Sequence, residues 1–150
     1  MKILMVCLGN ICRSPLAEGI LAAKAAAKGL DWEVDSAGTG NWHEDSLPDY
    51  RSIAVAKKYG IDLTNQRARQ LQSTDLQDFD LIFAMDSSNF SNIKKMAKNE
   101  TQIRKIHLIR NLVKPNESLS VPDPYFDDNG FEEVYWMLDE ACNKILEKFN

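Results

Sequence analysis

Cysteine and histidine are scarce in this chain, with three of the first (Cys7, Cys12, Cys142) and two of the second (His43, His107). Three cysteines cannot all pair within one chain, which argues against the disulfide framework of a small secreted domain and for a cytoplasmic setting. The same five residues match no zinc-ligand spacing, so no metal site is expected, and nothing points to another cofactor. Long hydrophobic runs are missing too. No stretch approaches the ~20 apolar residues of a membrane span, and the N-terminus lacks the apolar region and cleavage site of a signal peptide. Positive charge is not in surplus: the net charge of −4 gives no support to a nucleic-acid partner. Glycine builds no dinucleotide fingerprint, since Gly38-Thr39-Gly40 has no third glycine at the required spacing. Internal repeats and low-complexity segments are absent. What remains is 150 residues, 44% hydrophobic and 27% charged, the size and composition of one globular domain spanning 1–150 with a sizeable core.

The chain alternates between strand and helix patterns. Lys2 to Val6 is a short apolar run bounded by Gly9 and Asn10 and reads as a buried strand. From Ser14 the period changes: Pro15 suits a first helical position, and Leu16, Ile20, Ala23 and Ala27 share one helix face. Trp32, Val34 and Asp35-Ser36-Ala37-Gly38 predict a second strand, followed by a polar loop over 38–49. Ile53, Val55, Ala56 and Tyr59 predict a helix that Gly60 ends. Residues 80–85 are the clearest later strand, with Asp86-Ser87 as N-cap of a helix to about Lys98. Ile103, Ile106, Leu108 and Ile109 predict another strand, and 111–122 a turn-rich loop. Phe131, Val134, Met137, Leu138, Ala141, Ile145 and Phe149 mark a long amphipathic closing helix in which Cys142 is a packing residue. This order predicts a three-layer α/β domain with a parallel sheet, whose ligands bind beyond the carboxyl ends of the strands.

Between the first strand and the first helix lies Cys7-Leu8-Gly9-Asn10-Ile11-Cys12-Arg13-Ser14. A loop of this length feeding a helix N-terminus can turn several backbone N–H groups toward one anion. Gly9 and Asn10 can supply the curvature, the latter because it tolerates a left-handed backbone. Arg13 adds a planar fork that binds two phosphate oxygens. Cys7 would hold its sulfur beneath that anion, in surroundings that favour the thiolate, and Ser14 could donate its hydroxyl to it. Further on, Asp123 stands between Pro122 and Pro124, a stiffened position from which a carboxylic acid can protonate a leaving oxygen. The plain alternative is an ordinary Asp-Pro turn.

The stretch CLGNICRSPLAE, with DSAGT, RARQL, FDLIFAMD and DPYF following in order, resembles the low-molecular-weight protein tyrosine phosphatases over nearly the whole chain. That resemblance implies a four-stranded parallel sheet with a phosphate loop after its first strand, and a cofactor-free hydrolysis of phosphotyrosine on protein substrates that releases inorganic phosphate. Cys7 would be the nucleophile, Arg13 the phosphate clamp and Asp123 the general acid and base. Leu8, Gly9, Asn10, Ile11, Cys12, Arg13 and Ser14 would bind phosphate. Asn10, Ser14 and Ser36 would hold the loop in shape, and Leu8, Trp42, Tyr125 and Phe126 would line the substrate cleft. One departure is Gln66, three residues before Arg69, where the family often has histidine. Three other readings share parts of this pattern: an arsenate reductase, a cysteine phosphocarrier, and a non-catalytic phosphate-binding or redox-sensing module. The first needs further relay cysteines, yet none occurs between Cys12 and Cys142. The second has less use for Arg13 together with Asp123, and the third leaves nucleophile, arginine and acid without a joint purpose.

Overall fold

The run KILMVC forms β1 (Lys2–Cys7) at the centre of the molecule, and every residue of it after Lys2 is buried. A strand covered on both faces needs apolar side chains at consecutive positions, which is what this run supplies. In the computed structural model, which describes residues 1–150, Ile3, Met5 and Cys7 face one apolar layer while Leu4 and Val6 face the other. The order continues as α1 (Arg13–Ala27), β2 (Glu33–Gly38), α2 (Tyr50–Lys58), α3 (Asp75–Asp78), β3 (Leu81–Ala84), α4 (Ser87–Met96), α5 (Glu100–Arg104), β4 (Ile106–Leu108), a 3₁₀ turn (Ile109–Leu112) and α6 (Phe131–Phe149). All four strands are parallel, in the order β2-β1-β3-β4. No helix is long and apolar enough to cross a membrane.

This is the expected α/β architecture, with one apolar layer under α1 and α6 and a smaller one on the opposite face holding Phe79, Ile82, Ile93 and Ile106. The first crossover carries the chain from β1 to β2 on one side, and the next returns it to β3 on the other. The carboxyl end of β1 is therefore the point where strand order reverses and neighbouring loops diverge, leaving a crevice.

Several local expectations are corrected. Helix α1 begins at Arg13, so Pro15 sits third rather than first, still among the residues whose N–H groups have no intrahelical acceptor. Its buried face runs through Leu16, Ala17, Ile20, Leu21 and Ala25, whereas Ala23 and Ala27 are exposed. A helix packed between a sheet and α6 needs a broad apolar face, and alanines on the far side satisfy helix propensity without burial. Ile103 belongs to α5, capped by the Asn99 side chain, and Ile109 to the 3₁₀ turn, so only Ile106–Leu108 pair as a strand. Helices α3 and α5 have four and five residues, too few to leave a periodic signal. Asp86 caps α4 as expected, its carboxylate accepting from Asn89 N.

Candidate active site

The loop after β1 turns its carbonyls outward. Cys7 O accepts from Thr39 N, Leu8 O from Gly40 N, Ile11 O from Asp49 N and Cys12 O from Ser52 Oγ. No backbone N–H of residues 8–12 donates to a protein acceptor, although Asn10, Ile11 and Cys12 are buried. Buried donors without internal partners are rare. Three of them, with the free N–H groups of Leu8 and Gly9 on the same curved segment, are continued by the first turn of α1 and form a cradle suited to an oxyanion. Asn10 supplies the left-handed residue, with φ of 57°. Gly9 does not take up a left-handed φ. Its missing Cβ instead admits the His43 ring, whose Cδ2 would lie 3.2 Å from a methyl placed there. At the end of β2, a Cβ on Gly38 would come within 2.8 Å of Leu8 O, so only glycine lets the strand end pack against the loop.

Behind the cradle runs a buried chain of side-chain hydrogen bonds. Asn10 Nδ2 donates to Ser14 Oγ (2.8 Å) and to Ser36 Oγ (2.9 Å), while Asn10 Oδ1 accepts from Arg69 N (3.0 Å). Ser14 Oγ lies 3.0 Å from Cys7 Sγ. The Arg69 guanidinium binds both Asp35 and the buried Asp75, tying β2 to α3 behind the loop. Arg13 is 2% exposed, and its Nη1 donates to Asp86 (2.7 Å) and to Val121 O (3.0 Å). A guanidinium has five N–H donors, so three remain for a ligand. Burial opposes the Arg13 charge, yet Cys7 and Asp86 more than offset it, and its pKa is raised further. Burial, reinforced by Asp49, pushes the Cys12 thiol up to about 12, which keeps it protonated.

Asp123 faces this arginine, with Oδ2 3.8 Å from Arg13 Nη2. Its other oxygen accepts from Tyr125 N (3.1 Å), so the Asp-Pro turn and the exposed carboxyl at the cleft are one structure rather than alternatives. The segment is held by Arg51, which donates to Tyr125 O (2.9 Å) and Asp128 (2.5 Å) and is itself gripped by Asp49.

Cys7, Leu8, Gly9, Ile11, Cys12 and Arg13 line one side of a cleft of about 210 Å³, completed by Trp42, His43, Asp123, Tyr125 and Phe126. All four cleft residues expected from the sequence are thus brought together. Asn10, Ser14 and Ser36 lie behind the cradle, their side chains bonded to one another rather than lining the cleft. Ser14 and Ser36 are fully or almost fully buried. His43, Arg51, Arg69, Asp86 and Glu18 also belong to the site or its supports. The sequence reads Asp86 only as the N-cap of α4, and Arg69 only as part of the RARQL stretch. His43 and Arg51 left no signal beyond their residue types. Gln66 donates to Pro15 O, with its Oε1 buried and unpartnered.

The sequence model of the family described as low molecular weight phosphotyrosine protein phosphatase matches residues 2–150. A low molecular weight protein-tyrosine-phosphatase of Bacillus subtilis, YfkJ, is 40% identical, over 97% of this chain and 93% of its own. Among solved structures, a protein tyrosine phosphatase of Entamoeba histolytica superposes with a TM-score of 0.92 at 36% identity, covering 99% of this chain and 96% of that one. A protein named as a Drosophila arginine phosphatase superposes with a TM-score of 0.93 at 37% identity, covering 100% and 98%.

Proposed function

Because the chain belongs to the low molecular weight phosphotyrosine protein phosphatase family, we propose that residues 1–150 form one catalytic domain that hydrolyses phosphotyrosine on proteins through a cysteinyl-phosphate intermediate. The observation that carries this reading is the meeting of Cys7, Arg13 and Asp123 in one cleft above a cradle of unpartnered N–H groups. The cradle and the free N–H groups of Arg13 hold the phosphoryl oxygens and stabilise the charge that builds on them in the transition state. The Cys7 thiolate attacks phosphorus. As the S–P bond forms the P–O bond to the ring breaks, and Asp123 gives its proton to the departing phenolate oxygen. Water then attacks phosphorus, the Asp123 carboxylate takes its proton, and the P–S bond breaks. The thiolate leaves with the Ser14 hydroxyl as hydrogen-bond donor, and inorganic phosphate departs. No step calls on a metal.

Aromatic and apolar walls at Leu8, Trp42, Tyr125 and Phe126 favour a flat ring as the leaving group. An arsenate-reductase relay finds no support, since Cys142 is fully buried in α6 against Ala17 O. The test is turnover of a phosphotyrosyl peptide and of para-nitrophenyl phosphate without added metal, with phosphoarginine as the comparison substrate. Cys7→Ser should abolish turnover while the protein stays folded and still binds phosphate. Wild-type rates in that variant would remove Cys7 as nucleophile, and preferential hydrolysis of phosphoarginine would replace tyrosine as the target.

A further inference from the structure

Glu18 is a half-buried carboxyl that the chemistry above leaves unused. It lies one turn beyond Ser14 on α1, and its Oε1 accepts from Ser36 Oγ at 2.7 Å. Ser36 in turn receives Asn10 Nδ2 at 2.9 Å, and the same amide nitrogen reaches Ser14, which touches Cys7 Sγ. The positions of the protons follow from counting donors. Arg69 N can only donate, so the Asn10 oxygen faces it and the amide nitrogen faces the two serines. That nitrogen has two hydrogens, and each serine receives one. Each serine then has a single hydrogen to give: Ser36 gives its own to Glu18, and Ser14 has its own free for Cys7 once that thiol is ionised, the thiol being able to donate to Ser14 when it is not. The chain thus runs from a carboxylate at one end to Cys7 at the other, with the donors at Asn10 and Ser36 assigned.

We propose that Glu18 is a positioning residue whose ionisation orients the Ser36 hydroxyl and, through Asn10, tightens the loop that carries Cys7. This rests on Cys7 being the nucleophile. An ionised carboxylate can only accept, and so holds Ser36 with its lone pairs toward Asn10. A protonated one can donate to Ser36, which then faces two donors and turns its own hydrogen elsewhere, loosening the grip on the left-handed Asn10. The groups that bear on this titration are named by the packing. Burial raises the Glu18 pKa to about 7, the Ser36 hydrogen bond opposes that rise, Asp35 on β2 adds to it, and Arg69 counters it. The change of state therefore falls near neutrality.

The experiment reads Cys7 directly. The rate of alkylation of Cys7 by iodoacetamide, a neutral reagent, is followed against pH alongside turnover of para-nitrophenyl phosphate. The wild type should show a second step near neutrality in addition to the ionisation of the thiol itself. Glu18→Gln, which keeps the volume but cannot ionise, should show only the thiol's own ionisation. The ratio of its kcat to that of the wild type should change about fivefold to tenfold across neutrality, the worth of one weakened hydrogen bond, with KM little changed. Ser36→Ala, which cuts the chain while leaving Glu18 in place, should lose the same step and serves if Glu18→Gln does not fold. A ratio of variant to wild-type rate that stays constant with pH, or a step that survives in Ser36→Ala, overturns the proposal. Alkylation that leaves turnover intact would instead overturn Cys7 as the nucleophile, a separate outcome.

Discussion

Arginine at position 13 does two things with one side chain. Nη1 anchors the guanidinium to Asp86 and Val121 O, so its plane is set before any ligand arrives, and the remaining donors face the cleft. An ammonium at this site would reach one partner or the other, not both. Arg13→Lys should therefore lower kcat/KM by about 10²–10³-fold, measured on aryl phosphates; near-normal activity would take Arg13 out of the site. Asp123→Asn should slow phosphoenzyme formation by roughly 10²–10⁴-fold for a poor leaving group such as tyrosine, and far less for an activated phenol that departs unassisted. Equal slowing of both would make Asp123 a turn residue only. Cys12 lies in the same loop as Cys7, with burial keeping its thiol protonated. Mild peroxide should trap a Cys7–Cys12 disulfide that a thiol reductant reverses, and peptide mapping that finds only sulfinic or sulfonic acid at Cys7 would exclude it.

At the level of elements, Cys7 and Asp123 sit on segments far apart in sequence, and their relative position depends on what joins them. Arg51, in the first turn of α2, is the joint. It is clamped by Asp49, whose own N–H donates to Ile11 O of the loop, and it reaches across to Tyr125 O and Asp128. The guanidinium also lies over the Phe131 ring, 4.5 Å from its centre. Arg51→Ala should leave α2 capped by Asp49 but free the 122–129 segment. The expected result is about a tenfold loss of kcat on poor leaving groups and faster proteolytic cleavage within that segment. Unchanged kinetics and cleavage would show that the segment holds itself. Helix α6 has a different task, covering the sheet and α1 with Leu138, Cys142 and Ile145 fully buried. Leu138→Ala should cost about 2–5 kcal/mol in denaturant unfolding, because so enclosed a site cannot collapse around the lost methyls.

For the whole molecule, the half-buried titrating groups Glu18 and Asp49 contribute to how stability responds to pH. Glu18 has a folded pKa raised from 4.5 to about 7, so the native state holds this proton more firmly than the unfolded chain. Its contribution is complete below the ordinary glutamate value and is lost as pH rises through about 7. Asp49 has the opposite sign: the Arg51 hydrogen bond lowers its pKa, so its contribution is present above the usual aspartate range and lost on acidification. The unfolding free energy of wild type minus that of Glu18→Gln should accordingly fall as pH rises through this window. A difference that is flat with pH would mean that Glu18 is solvated in the folded state.

The sequence by itself determined the layers and the loop after β1. An apolar run this short, bounded by Gly9 and Asn10, reads as a strand buried on both faces, and Cys-x5-Arg-Ser between it and a helix marks one short segment for an anion. Those signals are local, carried by neighbours within one or two turns, and β1, α1, β3, α4 and α6 were legible for that reason. The tertiary structure alone decided the rest. Which alanines of α1 are covered depends on where α6 lies, and whether Ile103 pairs as a strand depends on the capped turn before it. Whether Asp123 is a turn residue or faces an arginine depends on the distance between segments about a hundred residues apart in the chain. Glu18, His43 and Arg51 carry no spacing that marks them. Their surroundings are assembled where strand order reverses at the end of β1, by residues from β2, α2 and the Asp-Pro segment, and such convergence in space leaves no periodic trace along a chain.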